Sequence, residues 1–195
     1  MRLSDGMILR TERLIMRPFN ADDREAFATI NADQQVMEHY PAPLTRAESD
    51  ALMDRINASF RERGFGVWAL ELGSSKALLG YTGLAVPTWE NHLTPCVEIG
   101  WRLGREHWGN GYASEAARAA LEVAFTDLGL AEVLSFTSLP NHRSARVMQR
   151  IGMRRDEASD FAHPNLPAEH PLSRHIVYRV SASEWEAQRA AALHA

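Results

Sequence analysis

The chain has 195 residues, 45% of them hydrophobic and 24% charged, with a formal net charge of −4. Length and composition point to one soluble domain over 1–195 with its own buried core, and a mildly acidic chain with scattered arginines lacks the basic stripe that duplex nucleic acid requires. Cys96 is the only cysteine, which excludes an internal disulfide or a cysteine-based zinc centre and matches cysteine usage in a reducing cytoplasm. Residues 1–10 lack the apolar run of a signal peptide and no window is long and apolar enough for a membrane span, so no membrane role is expected. Nothing in the sequence chooses between a monomer and a homodimer.

The apolar residues Ile8, Leu9, Leu14, Ile15 and Met16 predict a first strand over 7–19, ending at Pro18. Asn20 with Asp22 and Asp23 starts a helix carrying Phe27 and Ile30, and a loop closed by Pro41 and Pro43 follows. Thr45-Arg46-Ala47-Glu48 is a capping box opening a helix with Leu52, Ile56 and Phe60 on one face. Residues 67–72 and 78–86 read as a hairpin joined by Gly73-Ser74-Ser75, and 87–95 as a turn-rich connection.

Residues 97–103 alternate like a half-buried strand, with Val97, Ile99, Trp101 and Leu103 on one face and Glu98, Gly100 and Arg102 on the other. The glycine turn Trp108-Gly109-Asn110-Gly111 then enters a helix at Tyr112, whose Ala113, Ala117, Ala120 and Ala124 allow close approach to a sheet and which Gly129 stops. Residues 132–139 form a strand, and Pro140-Asn141 begins a short helix ended by Gly152. A strand over 153–161, a polar loop over 163–174 with three prolines, a last strand over 175–180 and a capping box at Ser181 complete the chain. The predicted order is β-α-α-β-β-β-α-β-α-β-β-α, an α/β fold with a mixed sheet.

A strand, a glycine turn and a helix start in that order make an anion cradle, because backbone N–H groups converge there with the positive end of the helix dipole. A P-loop requires Lys and Ser/Thr after the second glycine, where Tyr112 stands, and a dinucleotide fingerprint requires a third glycine where Ser114 stands. Both nucleotide readings therefore fail, and some other phosphate remains. Glu98 has two readings, a solvent-facing strand position or a base in a cleft beside the cradle. Cys96 shares its face and is read as inert packing, since nothing adjacent lowers its pKa. Asn141 and Ser144 suit helix capping or ligand contact; Arg143, Arg146 and Arg150 suit a solvated face, with Arg146 within reach of a phosphate. His163, His170 and His175 lack metal-ligand spacing, so no metal is expected.

Taken together, Glu98-Ile99-Gly100-Trp101, the run Trp108 through Ala116, Asn141-His142-Arg143-Ser144 and Ile151-Gly152-Met153 resemble the GCN5-related N-acetyltransferase superfamily. The opening Thr11-Glu12-Arg13-Leu14-Ile15-Met16-Arg17-Pro18 resembles its branch of ribosomal-protein N-terminal acetyltransferases. The resemblance spans nearly the whole chain. It implies a mostly antiparallel sheet of about seven strands, splayed at its centre and flanked by helices.

The resemblance further implies that Trp108, Gly109, Asn110, Gly111, Tyr112, Ala113 and Ser114 cradle the pyrophosphate of acetyl-coenzyme A. Trp101, Arg102 and Leu103 pair their backbone with its pantetheine arm, and Asn141 hydrogen-bonds the same region. Two positions depart from the pattern. Glu106 stands where Gln or Arg is usual and is expected to face water. Met148 replaces a proton-donating tyrosine, leaving Ser144, one helical turn earlier, to assist the departing thiolate.

The implied reaction is direct acetyl transfer to an amine. At pH 7 an alkylamine is neutral to only about one part in a thousand or less, so a base is useful, and Glu98 is the candidate. The acceptor is expected between Met37, Glu38, His39 and Tyr40 on one side and Asp160, Phe161 and His163 on the other. A peptide N-terminus, a polyamine and an amino-modified antibiotic all fit that composition. A non-catalytic acyl-coenzyme A sensor and a protein-interaction module are the rival readings.

Overall fold

The computed structural model describes residues 8–193, so the predicted strand start at residue 7 and most of the 1–10 segment lie outside it. The first predicted strand is two, β1 (Leu9–Arg10) and β2 (Leu14–Arg17). Thr11 makes the break: its hydroxyl oxygen accepts from the Leu14 N–H at 3.0 Å while its own N–H donates to the Leu14 carbonyl at 3.0 Å, closing a local turn that the apolar pattern does not reveal.

Asn20 and Asp23 form a reciprocal cap on a short 3-10 turn that feeds α1 (Arg24–Ala32). Thr45 and Glu48 form the predicted capping box on α2 (Arg46–Arg63), and Gly64 ends it in the left-handed conformation at φ 79°. The hairpin β3 (Val67–Leu72) and β4 (Leu78–Ala85) leads to β5 (Glu98–Leu103) and α3 (Tyr112–Glu122), which closes in a π turn at Val123–Asp127. Then follow β6 (Glu132–Ser138) and α4 (His142–Arg150). The predicted strand over 153–161 is instead β7 (Arg154–Arg155), a 3-10 turn and β8 (Phe161–Ala162). There Asp156 and Asp160 accept hydrogen bonds from Ser159 and Arg155 in place of ladder pairing. The chain ends with β9 (Arg174–Ser181) and α5 (Ala182–Leu193).

These strands make one nine-stranded sheet in the order β1-β2-β3-β4-β5-β6-β9-β7, with β8 also on β9. That is two strands more than expected, the excess coming from the two interrupted segments. Every pair is antiparallel except β5–β6. On one face α3 and the π turn after it lay a buried alanine ridge, Ala116, Ala117, Ala120 and Ala124, against Leu79, Leu84 and Ile99. On the other, α1 and α2 cover the β2–β4 half with Phe19, Phe27, Met53 and Ile56, while Trp89, Leu93 and Phe161 cover the β6–β9 half.

The two halves part at the centre. The β5–β6 register consists of Glu98 against Leu134, with the Leu134 N–H donating to Val97 O at 3.0 Å. One step on, the Ser135 hydroxyl bridges to Ile99 O at 2.8 Å. A parallel pair needs slanted, evenly spaced bonds on both strands; a side chain filling that role marks where the backbones diverge.

Tight β4–β5 contact fixes the other edge of β5. Gly80 adopts φ +138°, and a Cβ there would lie 2.1 Å from the Arg102 carbonyl oxygen. Gly80→Ala is therefore expected to lower stability by about 2–4 kcal/mol through backbone strain and forced separation of β4 from β5. Urea denaturation checks this, and an unchanged midpoint would contradict it.

Candidate active site

The cradle is built where β5 runs out. Gly109 and Gly111 hold φ 78° and 81°, values that glycine reaches without strain. Gly111 is the N-cap of α3 and offers no side chain to its first-turn N–H groups, so those donors stay available for an anion. A Cβ on Gly109 would meet nothing within 4 Å, so open space lies in front of the turn. The cradle lines a cavity of about 410 Å³ together with Trp101, Leu103, Trp108 and, from α4, Asn141, Ser144 and Arg146.

Of the predicted cofactor residues, Trp101, Arg102, Leu103, Trp108, Gly109, Gly111, Tyr112, Ala113, Ser114, Asn141 and Arg146 all line this cavity. Asn110 is the exception: its amide turns back onto the His107 and Trp108 carbonyls at 3.2 and 3.1 Å, bracing the turn from within. Glu106 faces water, 69% exposed, with His107 beside it at 3.4 Å. Cationic side chains gather instead on α4, where Arg143, Arg146 and Arg150 line the cavity.

The β5 edge turned toward the parting supplies backbone groups. Val97 and Ile99 present their carbonyls to β6, and strand alternation puts the N–H and C=O of Trp101 on the same edge, beyond the last β5–β6 bridge. Leu103 O, next on that edge, accepts from the Trp108 indole N–H at 2.9 Å, which ties the turn to the strand. Across the gap, Asn141 caps α4 by accepting from the Ser144 N–H at 3.2 Å, and its amide donates to Thr137 Oγ1 at 2.9 Å and Ser144 Oγ at 3.1 Å. Capping and cavity lining thus coincide in Asn141, and the Ser144 it caps lines the same cavity. Met148 is 1% exposed in the core.

Glu98 opens β5 at the parting. Its side chain forms no hydrogen bond or ion pair with another described residue, and burial alone pushes its carboxyl up to about 7. Desolvation disfavours the charged form, so this carboxyl exchanges its proton in the physiological range. Cys96, two residues earlier on the same face, has its thiol pushed up to about 11 by burial, with Glu98 and Glu132 adding to the effect. It stays a protonated, inert thiol at neutral pH.

The expected acceptor residues divide into two groups. His39 and Tyr40, from the α1–α2 loop, line the cavity. Burial holds the His39 imidazole below its ordinary value, and its Nδ1 is buried without a partner. Met37, 2% exposed, packs inward and offers the cavity no surface. The second group does not join the first. Asp160 is held by Arg155 at 2.6 Å and accepts from the Val177 N–H at 3.3 Å. Phe161 and His163 belong to an aromatic cluster with Trp89, Phe136 and His175. That cluster shares the sheet face of Glu98, whose register partner Leu134 packs in it. Among the described residues no group of three His, Cys, Asp or Glu side chains is placed to hold a metal ion.

Several contributors escape a sequence reading. Arg13 reaches from β2's entry turn to the cradle, donating to Asn110 O at 2.9 Å, pairing with Glu115 at 2.6 Å and lying 4.6 Å over the Tyr112 ring. Arg143 pairs with Glu38 at 2.6 Å and stacks 4.5 Å over Trp108, linking α4, the α1–α2 loop and the turn. Both join segments about a hundred positions apart, and no local spacing signals them; the resemblance of the 11–18 run was the only hint at Arg13.

The sequence profile of the acetyltransferase (GNAT) domain family matches residues 13–154, from the cradle's brace through α4. An FsC-acetyl coenzyme A-N(2)-transacetylase of Aspergillus fumigatus is 31% identical over 185 residues, covering 91% of this chain and 77% of that protein. The crystal structure of a GNAT-family acetyltransferase from Bacillus anthracis superposes with a TM-score of 0.75 at 26% identity, over 91% of this chain and 99% of that one. A spermidine N-acetyltransferase from Vibrio cholerae, solved with CoA and spermine, shares the fold with a TM-score of 0.70 at 17% identity, over 90% and 99% of the two chains. With the cradle, the parted strands and a profile spanning most of its length, the chain belongs to the GNAT acetyltransferase family.

Proposed function

We propose that the protein moves acetyl from acetyl-coenzyme A directly to a primary amine, with Glu98 as general base and Ser144 beside the departing sulfur. The observation that carries this is the parting of β5 and β6 immediately past Glu98, with the cradle at the far end of the same strand. The bound thioester supplies an activated acetyl group. The N–H groups of the Tyr112–Ser114 turn and Arg146 hold its phosphates, and Trp101's backbone aligns the arm along the open edge. A backbone donor on that edge faces the carbonyl where negative charge develops.

Glu98 then takes the proton that makes the incoming amine nucleophilic, directly or through one water. A carboxyl titrating near 7 is half ionised at neutral pH and returns its proton without a large penalty. The Ser144 hydroxyl, oriented by Asn141, donates to the leaving thiolate. The single inert cysteine fits action in the cytoplasm. A non-catalytic sensor of the same fold has no use for Glu98, and the kinetics of its substitution separate the two.

Glu98→Gln is expected to lower kcat about 10²–10³-fold and to flatten its rise through pH 7, while acetyl-coenzyme A affinity stays within twofold. Equal turnover by the two proteins across pH 6–9 would contradict the assignment. For stability the sign is the reverse. The folded carboxyl lies above its ordinary 4.5, so ionisation opposes folding, with no cost below pH 4.5 and the full cost above pH 7. Glu98→Gln should therefore melt at a higher temperature than the parent at pH 8, the advantage vanishing toward pH 4.5. At the cradle, Gly109→Glu places bulk and negative charge in the open space before the turn, and calorimetry should register at least a hundredfold loss of acetyl-coenzyme A affinity. Unaltered affinity would contradict the placement.

A further inference from the structure

Arg102 is a buried cation with no anion beside it among the described residues. It is 8% exposed, and no carboxylate among the described residues pairs with it. One N–H donates to Asn31 Oδ1 at 2.7 Å, while Nε is buried without a partner. Asn31 is fixed in turn, its amide donating to the buried Ser49 hydroxyl at 2.8 Å, so the acceptor oxygen stays aimed at the guanidinium. Tyr40 and Tyr81 stack on the group at 4.1 and 5.4 Å. Neutral phenols and an amide carbonyl soften a buried charge but do not cancel it.

The placement along β5 is informative. Glu98, Gly100 and Arg102 share the face toward α1 and α2, with Tyr81 directly opposite Arg102. The two charged residues are four apart, roughly 13 Å along a strand. Between them a Cβ on Gly100 would meet nothing within 4 Å. Free space beside Gly100 thus separates the Glu98 carboxyl from the guanidinium, and Tyr40, 38% exposed on the α1–α2 loop, covers the Arg102 end. Arg102 and Tyr40 border the same cavity as the cradle, but the phosphate donors are the first-turn N–H groups of α3, while the guanidinium is turned to Asn31 and Tyr40 on the α1–α2 side.

We infer that the acceptor amine carries a carboxylate, which Arg102 receives while Glu98 faces the amine. The unpartnered Nε and the remaining N–H groups give the guanidinium a planar fork that matches the two-oxygen geometry of a carboxylate. Tyr40 is the cover that yields when the acceptor enters. This inference rests on the proposed acetyl transfer and narrows its substrate class to zwitterionic primary amines. Arg102 acts here as a specificity determinant.

The test compares ω-amino acids from β-alanine to 6-aminohexanoate with the corresponding ω-amino amides, as acceptors and as ligands of the CoA-loaded protein. At least one acid should have a KM tenfold or more below its amide. Arg102→Met should erase that preference, and Arg102→Lys should keep part of it. Equal KM values for every pair or equal damage to acids and amides would overturn the inference. If Arg102→Met does not fold, the parent protein's comparison decides alone. Calorimetry separates the two claims: preferential binding of the acid without turnover supports the carboxylate site and contradicts acetyl transfer, whereas turnover without preference does the reverse. Binding of neither member overturns the inference.

Discussion

The backbone of β5 has two edges, and β4 uses only one. Beyond Glu98 the edge turned toward β6 carries main-chain donors and acceptors that no neighbouring strand satisfies. Leaving such groups unpaired in a sheet's interior is unfavourable, so the fold persists with an open edge only where something else satisfies it. Ser135 and the Trp108 indole take two of these groups. Trp101 remains between them and faces the cavity. The rest of the molecule maintains this gap: α3 and α4 pack beneath it, and the β6–β9 half is anchored separately through its own aromatic cluster.

Two electrostatic environments meet along the gap. At one end backbone N–H groups, the α3 dipole and three α4 arginines favour polyanions. At the other, a carboxyl with no hydrogen-bond or ion-pair partner among the described residues is pushed up to about 7 by burial. Under the proposed acetyl transfer the separation suits the chemistry, because the charged carrier would be held away from the group proposed to exchange a proton. Arg102 adds a third element on the α1–α2 side, a cation held by Asn31, itself fixed by Ser49, with no carboxylate beside it among the described residues.

Residues whose roles depend on local geometry were legible in the sequence. The glycine turn, the capping residues at Thr45 and Asn141, and the alternation placing Glu98 opposite Ile99 all follow from spacing within a few positions. The resemblance added the carrier's identity and the expectation of a central splay. The strand count failed where side chains compete for backbone groups, at Thr11 and across 153–161. Pairings between distant segments were also out of reach: Arg13 with Glu115, Arg143 with Glu38, and the engagement of Asp160 by Arg155 all depend on tertiary placement. Met37 shows the limit of composition, since a methionine beside His39 and Tyr40 looks like a cavity residue but packs inward. Alternation put Arg102 on Glu98's face without revealing that it lacks a counter-ion.

Backbone amide hydrogen exchange, followed by NMR with and without acetyl-coenzyme A, tests the use of the open edge most directly. In the free protein Trp101 should exchange faster than Gly100 and Arg102, which face β4. Acetyl-coenzyme A should then protect Trp101 together with the amides of 109–114, leaving β3 and β4 unchanged. Protection confined to other elements, with Trp101 exchange unaltered, would contradict the assignment of the parted strands as the carrier's seat.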